Sequence, residues 1–318
     1  MPDFLEVLGD GVHAIDTGYQ RARFDAAYLI VEAGRAAFID TGTNYAVPRL
    51  LQALSALGLA RDCVDWVIPT HVHLDHAGGV GTLMRELPNA RLLVHPRGLR
   101  HLVDPRVLWA GAMAVYGEAE MQRSYGARLI PVPAERAEVA TDGQQVQLAG
   151  RELAILDTPG HARHHICIWD ARSRGMFTGD TFGLSYREFD TAQGPWILPT
   201  SSPVQFEPEA MKESLARILA HDPQWLYLTH YNRVGEAQRL GRLMVEQIDA
   251  TVALCKPLRD APDRHERIKT GLEALYLERL RAHGCTLPPE EQRRLLAMDV
   301  ELNALGLEIW LDRPDKPA

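Results

Sequence analysis

The stretch THVHLDHAGG, residues 70–79, places His71, His73, Asp75 and His76 almost side by side. His71 and His73 are two apart, and in extended chain that spacing puts both imidazoles on one side. Asp75 and His76 follow where the chain should turn into a helix. Imidazole nitrogen and carboxylate oxygen are suitable ligands for zinc and other first-row metals. Four such groups can serve one metal or be divided between two. The bland reading, a surface or hydrogen-bonded imidazole, is kept for the isolated His13, His101, His221, His265 and His283.

One segment rarely completes a metal site, so further ligands are sought where apolar runs end. LDTPGHARHH places His161 after a strand and a Pro-Gly turn, MFTGDTFG places Asp180 after another, and LYLTHYN places His230 after a third. Ligands at strand ends are held stiffly by the sheet while room is left for a substrate. His71, His73, Asp75, His76, His161, Asp180 and His230 are the candidate metal ligands.

The elements that must position them follow from periodicity. Apolar runs at 12–16, 26–31 and 36–40 predict strands, 46–58 an amphipathic helix ended by Gly58, and 64–68 a strand running into the histidine cluster. A helix over 78–87 and a strand at 91–95 come next. Strands and helices alternate here, which favours a layered α/β architecture. Later runs at 153–158, 166–170, 175–179 and 225–230 predict strands, and 209–220 a helix. Beyond about residue 245 the strand signals thin out, and Leu/Arg/Glu-rich stretches at 264–283 and 289–305 predict helices. The division expected is a metal-binding catalytic unit over 1–245 and a helical extension over 246–318, serving as a cap on the cleft or as a dimer interface.

With 318 residues, 34 Lys+Arg against 42 Asp+Glu and a net charge of −8, the chain is a globular protein with an acidic balance. That balance argues against non-specific binding to nucleic acid or an anionic membrane. Cys63, Cys167, Cys255 and Cys285 form no C-x-x-C pair and read as free thiols. No basic segment with a long apolar run opens the chain, and no stretch reaches the ~18 apolar residues of a spanning helix. The cytoplasm is the default expectation.

The motif His71-x-His73-x-Asp75-His76, followed in order by His161, Asp180 and His230, resembles the metallo-β-lactamase fold hydrolases over roughly residues 10–240. The resemblance implies a four-layer αββα sandwich, two sheets face to face with helices outside and the site at one edge. It implies one metal held by His71, His73 and His161, a second by Asp75, His76 and His230, and Asp180 bridging them. Zinc suits this ligand set, with iron or manganese as alternatives. The full set looks more like the glyoxalase II and lactonase branches than the classical β-lactamases, many of which carry cysteine at the bridging position. Histidine at 73, where di-iron flavoprotein relatives carry glutamate, counts against an oxygen or nitric oxide reductase.

By the same resemblance, Asp75 and Asp180 orient a metal-activated water and pass a proton to the leaving group. Asp40, in FIDTG, either accepts a hydrogen bond from a ligand imidazole or fixes its own turn. Aromatic residues in 98–121 and 181–206 are candidates for substrate contact: Trp109 and Tyr116, with Met113, in the first segment, Tyr186 and Trp196 in the second. Core packing is the competing role for each. Such walls favour a small-molecule acyl substrate with an apolar part. A thioester or carboxylic ester is the first expectation, with a lactone or small phosphodiester behind it. A non-catalytic ligand-binding or regulatory protein that keeps the metal site is the further alternative. No basic cluster like the glutathione-binding end of glyoxalase II stands out.

Overall fold

The computed structural model describes residues 1–126 and 128–313; the end of the expected extension, 314–318, lies outside the described residues. The first sheet runs in the order β1 (Leu5–Gly9), β2 (Val12–Asp16), β3 (Ala26–Glu32), β4 (Arg35–Ile39), β5 (Val64–Ile68), β6 (Arg91–Val94) and β7 (Ala137–Val139). Its hairpin-linked strands β1 to β4 are antiparallel, and β4 to β7 are parallel. The second sheet comprises β8 (Gln145–Leu148), β9 (Arg151–Asp157), β10 (Ile166–Asp170), β11 (Gly175–Gly179), β12 (Trp225–Leu228) and β13 (Asn232–Val234), in sequence order across the sheet.

The strands alternate between two apolar layers. Ala26, Tyr28 and Ile30 of β3 face the second sheet and meet Ile155, Ile168 and Phe177 there. Ala27 and Leu29 point the other way, into a layer shared with Leu50 and Leu54 of α1 (Val47–Ala56). A strand buried on both faces needs no polar alternation, which is why these runs read as continuously apolar. After α1 come α2 (Leu74–Ala77), α3 (Val80–Glu86), α4 (Pro96–Val103) and α5 (Arg106–Ser124). The outer face of the second sheet is covered by α6 (Pro208–Ala220), α7 (Ala237–Cys255), α8 (Arg264–Ala282) and α9 (Pro289–Leu311). Helix, sheet, sheet and helix therefore stack as the four expected layers.

The C-terminal helices are part of this packing. α7 runs through residue 245 without a break. Met244, Leu272, Tyr276, Val300 and Leu307, drawn from α7, α8 and α9, share one apolar cluster with Met211 and Leu215 of α6. The 199–206 loop is fastened to α9: Asn303 Oδ1 accepts from Ser201 N at 2.7 Å and its Nδ2 donates to Pro199 O at 3.1 Å. At Gly306 the approach is closest, and a Cβ there would lie 1.6 Å from Ser201 O. No helix among the described residues is long and apolar enough to cross a membrane.

Gly306→Ala must push α9 off the loop. Overpacking of this kind costs about 1–3 kcal/mol, so the urea midpoint should fall well below that of the parent. An unchanged midpoint would show that α9 is not seated as described.

Candidate metal centre and substrate cavity

The seven candidate ligands converge at one edge of the two sheets. β5 ends at Ile68, and the chain bends at Thr70, His71 and His73; the His73 carbonyl accepts from His76 N and Ala77 N to start α2. That junction sends His71 and His73 from the bent loop and Asp75 and His76 from a first helical turn into the same space. His161 follows β9, Asp180 follows β11 and His230 follows β12. Ligand atoms of His71, His73 and His161 lie within 4.8 Å of one another, as do those of His71, His76 and Asp180, and those of Asp75, His76 and His230.

Asp180 stands between the groups. Its Oδ2 is 3.5 Å from His161 Nε2, while its Oδ1 is 3.2 Å from His76 Nε2 and 3.6 Å from His230 Nε2. Asp75 Oδ2 is 3.6 Å from His230 Nε2. His161 Nε2 meets His73 Nδ1 at 3.0 Å, whereas His71 Nε2, His76 Nε2 and Asp180 Oδ1 are buried and have no hydrogen-bond partner among the described residues. Buried polar atoms are seldom left unmatched, and these point into the space a cation would fill. The donor set fits divalent cation binding.

The far side of four of the five imidazoles is occupied, His73 being the exception. His71 Nδ1 meets Thr70 Oγ1 at 3.2 Å, His161 Nδ1 meets Thr200 Oγ1 at 2.8 Å, and His230 Nδ1 donates to Phe24 O at 3.0 Å. His76 Nδ1 donates to Asp40 Oδ2 at 2.8 Å. Such partners turn Nε2 toward the centre and fix the tautomer. Of the two roles considered for Asp40, the geometry supplies the hydrogen bond to a ligand imidazole. The same carboxylate accepts from Thr70 N at 2.7 Å and Thr229 Oγ1 at 2.9 Å. His165, unremarked in the sequence, accepts from Asp180 N through Nε2 at 3.1 Å and places that residue. Its only sequence signal is the run HARHH after a strand.

Charge is divided across the centre. Burial and the neighbouring imidazoles hold His71 well below its ordinary pKa and bring His73 down to about 3; burial also lowers His161. Burial would raise Asp75, but His76 and His230 outweigh it and hold that carboxyl at about 2. Burial would likewise lower His230, yet Asp180 and Asp75 lift it to about 10, and carboxylates raise His76 in the same way. A cation beside His76 and His230 must replace protons, so its affinity rises with pH.

A cavity of about 300 Å³ opens above His73, Asp75, Asp180 and His230. Tyr116 and Tyr186 line it. Trp109 and Trp196 need correction, because neither reaches it. The 181–206 segment folds back on itself, Leu184 pairing with Leu198 and Ser185 Oγ donating to Trp196 O. Trp196 thereby turns inward, with its ring on Phe189 at a centroid distance of 5.7 Å. Trp109 and Met113 pack against the same apolar cluster. The cavity walls that sequence reasoning missed are Tyr19, Phe24, Tyr125 and the α9 residues Met298, Asp299 and Leu302. Tyr186 Oη donates to Asp299, 3.1 and 3.2 Å from its two oxygens. Burial raises the Asp299 carboxyl to about 7.

Asp40→Asn keeps a residue that tolerates the left-handed φ of 57° at this position while weakening the carboxylate–imidazole contact. Metal affinity, measured against a competing chelator, should fall about 10–100-fold; parental affinity would remove Asp40 from the centre. For Asp299 the folded-state pKa lies above the unfolded one. The native state therefore holds a proton that the unfolded state has released between about pH 4 and 7, and this group costs stability as pH rises through that window. The melting temperature of Asp299→Asn should gain on the parent from pH 5 to pH 8. A gap constant over that range would mean that Asp299 is ionised throughout.

Comparison with known proteins places this geometry. The sequence model of the metallo-beta-lactamase superfamily matches residues 21–281. Over 155 residues the chain is 30% identical to hydroxyacylglutathione hydrolase of Aeromonas hydrophila, an alignment covering 48% of this chain and 45% of that protein. It is 28% identical over 181 residues to the atrochrysone carboxyl ACP thioesterase of Aspergillus fumigatus, covering 57% and 45%. The match thus spans about half the length of these curated relatives. The structure of a metallo-beta-lactamase family protein from Thermus thermophilus superposes with a TM-score of 0.68 at 19% identity, over 96% of this chain and 94% of that one. That likeness is one of fold. With its sequence matched over residues 21–281, the chain belongs to the metallo-beta-lactamase superfamily.

Proposed function

We propose that the chain is a binuclear metal-dependent hydrolase that cleaves the thioester of an apolar acyl group. The observation that carries this reading is the set of buried, unpartnered ligand atoms at the base of a largely apolar cavity. Two divalent cations, zinc first, with iron or manganese as alternatives, would be held by His71, His73 and His161, and by Asp75, His76 and His230, with Asp180 between them. When bound they supply an activated water and an electrophilic contact for the carbonyl.

The protein's own groups do the positioning. Asp75 borders the cavity, and its carboxylate accepts a hydrogen bond from the attacking water. Asp180, buried and placed by His165, completes the orientation. Tyr19, Phe24 and Leu184, with Met298 and Leu302 of α9, hold the acyl group and exclude bulk water. In this reading α9 acts as the cap over the cleft. A carboxylate committed to a divalent cation would hand over a proton poorly. That suits a leaving group able to depart as an anion, and a thiol, with an ordinary pKa of about 8.5, is such a group where an alcohol is not. One relative is named a thioesterase and another a hydroxyacylglutathione hydrolase, which supports the same bond.

The test is metal analysis joined to a substrate panel. Protein purified without chelator or histidine tag should carry about two metals per chain and should hydrolyse acyl thioesters faster than aryl esters, lactones or phosphodiesters, with His71→Ala inactive. Failure to bind metal after reconstitution with zinc, manganese or ferrous iron would overturn the centre. Two metals with turnover confined to lactones or phosphodiesters would overturn the thioester. Two metals without any turnover would leave a ligand-binding role.

A further inference from the structure

A second cavity, about 780 Å³, adjoins the first and shares His101, His164 and Gln205 with it. Its character is different. Arg97 and Arg100 enter it from α4, and Arg163 from the loop after β9. Glu207 is the one carboxylate among the described residues that line it, and it is already engaged by Arg163 at 2.8 Å and by Arg313 at 3.2 Å. Arg97 and Arg100 make no ion pair among the described residues. Arg97 Nη1 reaches only the carbonyl of Arg163 at 3.4 Å, and Arg100 Nε reaches only His101 Nε2 at 3.4 Å. In a chain with net charge −8, where most arginines have found a carboxylate, two neighbouring unmatched guanidiniums stand out.

The position of this basic cavity relative to the metal centre is fixed by packing. Gly98, between the two arginines, lets α4 sit against the His71–His73 segment: a Cβ there would lie 2.8 Å from Val72 Cγ1. His164 forms the shared wall. It is buried, accepts from Val72 N through Nδ1 at 3.4 Å, and has its ring 5.8 Å from His73 and 6.4 Å from His101. A substrate lying across His164 would have its carbonyl at the ligand cluster and its two ends in cavities of opposite character.

We propose that the basic cavity binds an oxyanion, phosphate or carboxylate, carried on the thiol portion of the thioester, while the acyl portion fills the apolar cavity. This rests on the thioester reading above and adds the chemical class of the leaving group. Guanidinium forks match both oxyanions with paired, charge-assisted hydrogen bonds. Coenzyme A would supply phosphates, and a glutathione-type peptide would supply carboxylates.

Binding is measured by calorimetry with S-methyl coenzyme A and S-methylglutathione, thioethers that cannot be hydrolysed, on the parent and on Arg97→Ala/Arg100→Ala. One of the two should bind, less tightly as salt is raised, and about tenfold or more weakly to the double variant. The one that binds identifies the anion. Arg97→Lys/Arg100→Lys should recover part of the loss. In turnover, KM for the matching thioester should rise in the double variant, while kcat/KM for a neutral N-acetylcysteamine thioester should not change. No binding of either thioether, or equal binding to parent and double variant, would overturn the oxyanion site. A protein that binds a thioether and loses it on substitution, yet hydrolyses no thioester, would uphold the site and overturn the reaction.

Discussion

A buried imidazole nitrogen or carboxylate oxygen without a partner costs on the order of 1–3 kcal/mol, and this fold gathers several at one point. His71 Nε2, His76 Nε2 and Asp180 Oδ1 lie together in the protein without a hydrogen-bond partner among the described residues. His71, His73 and His161 resist protonation, while Asp75 and Asp180 resist neutralisation. Left to relax, such side chains would rotate outward or pair off. They stay because His71, His76, His161 and His230 are tied from behind, and the surrounding architecture is best understood as the means of tying them.

Asp40 shows how far the tie extends. It sits just past β4 and receives hydrogen bonds from Thr70 beyond β5, Thr229 beyond β12, and His76 at the start of α2. One carboxylate thus links the ends of strands from both sheets to a ligand. Phe24 O on His230 and Thr200 on His161 work similarly from loops. The relative placement of the sheets and the geometry of the centre are therefore one property, set by the inter-sheet layer around Tyr28, Ile155 and Phe177.

Much of this could be read in the sequence because it is local. Residues 71–76 carry their spacing in the covalent chain, and strands buried on both faces announce themselves as apolar runs. His161, Asp180 and His230 were legible because each directly follows such a run. What escaped depends on how distant segments meet. Tyr186 and Trp196 belong to one aromatic loop, and nothing in composition says that the first reaches the cavity while the second is turned into the core by the Leu184–Leu198 pairing. Asp299 reads as an ordinary charged residue of an amphipathic helix until α9 is docked. Arg97 and Arg163 are far apart in sequence, so the basic cluster exists only after α4 packs on Val72. The motif around Asp40 puts it near the ligands, but only the fold could choose between turn-former and ligand partner.

The two halves of the cleft come from different parts of the chain. The candidate ligand set is confined to strand-end segments between His71 and His230, whereas part of the cavity wall comes from Met298, Asp299 and Leu302 on the last described helix. The buried cluster and this part of the cavity wall are therefore encoded in separable segments. Substitutions along the inward face of α9 can reshape that wall while the strand-end cluster stays intact, so the shape of the cavity can be varied by editing a single peripheral helix.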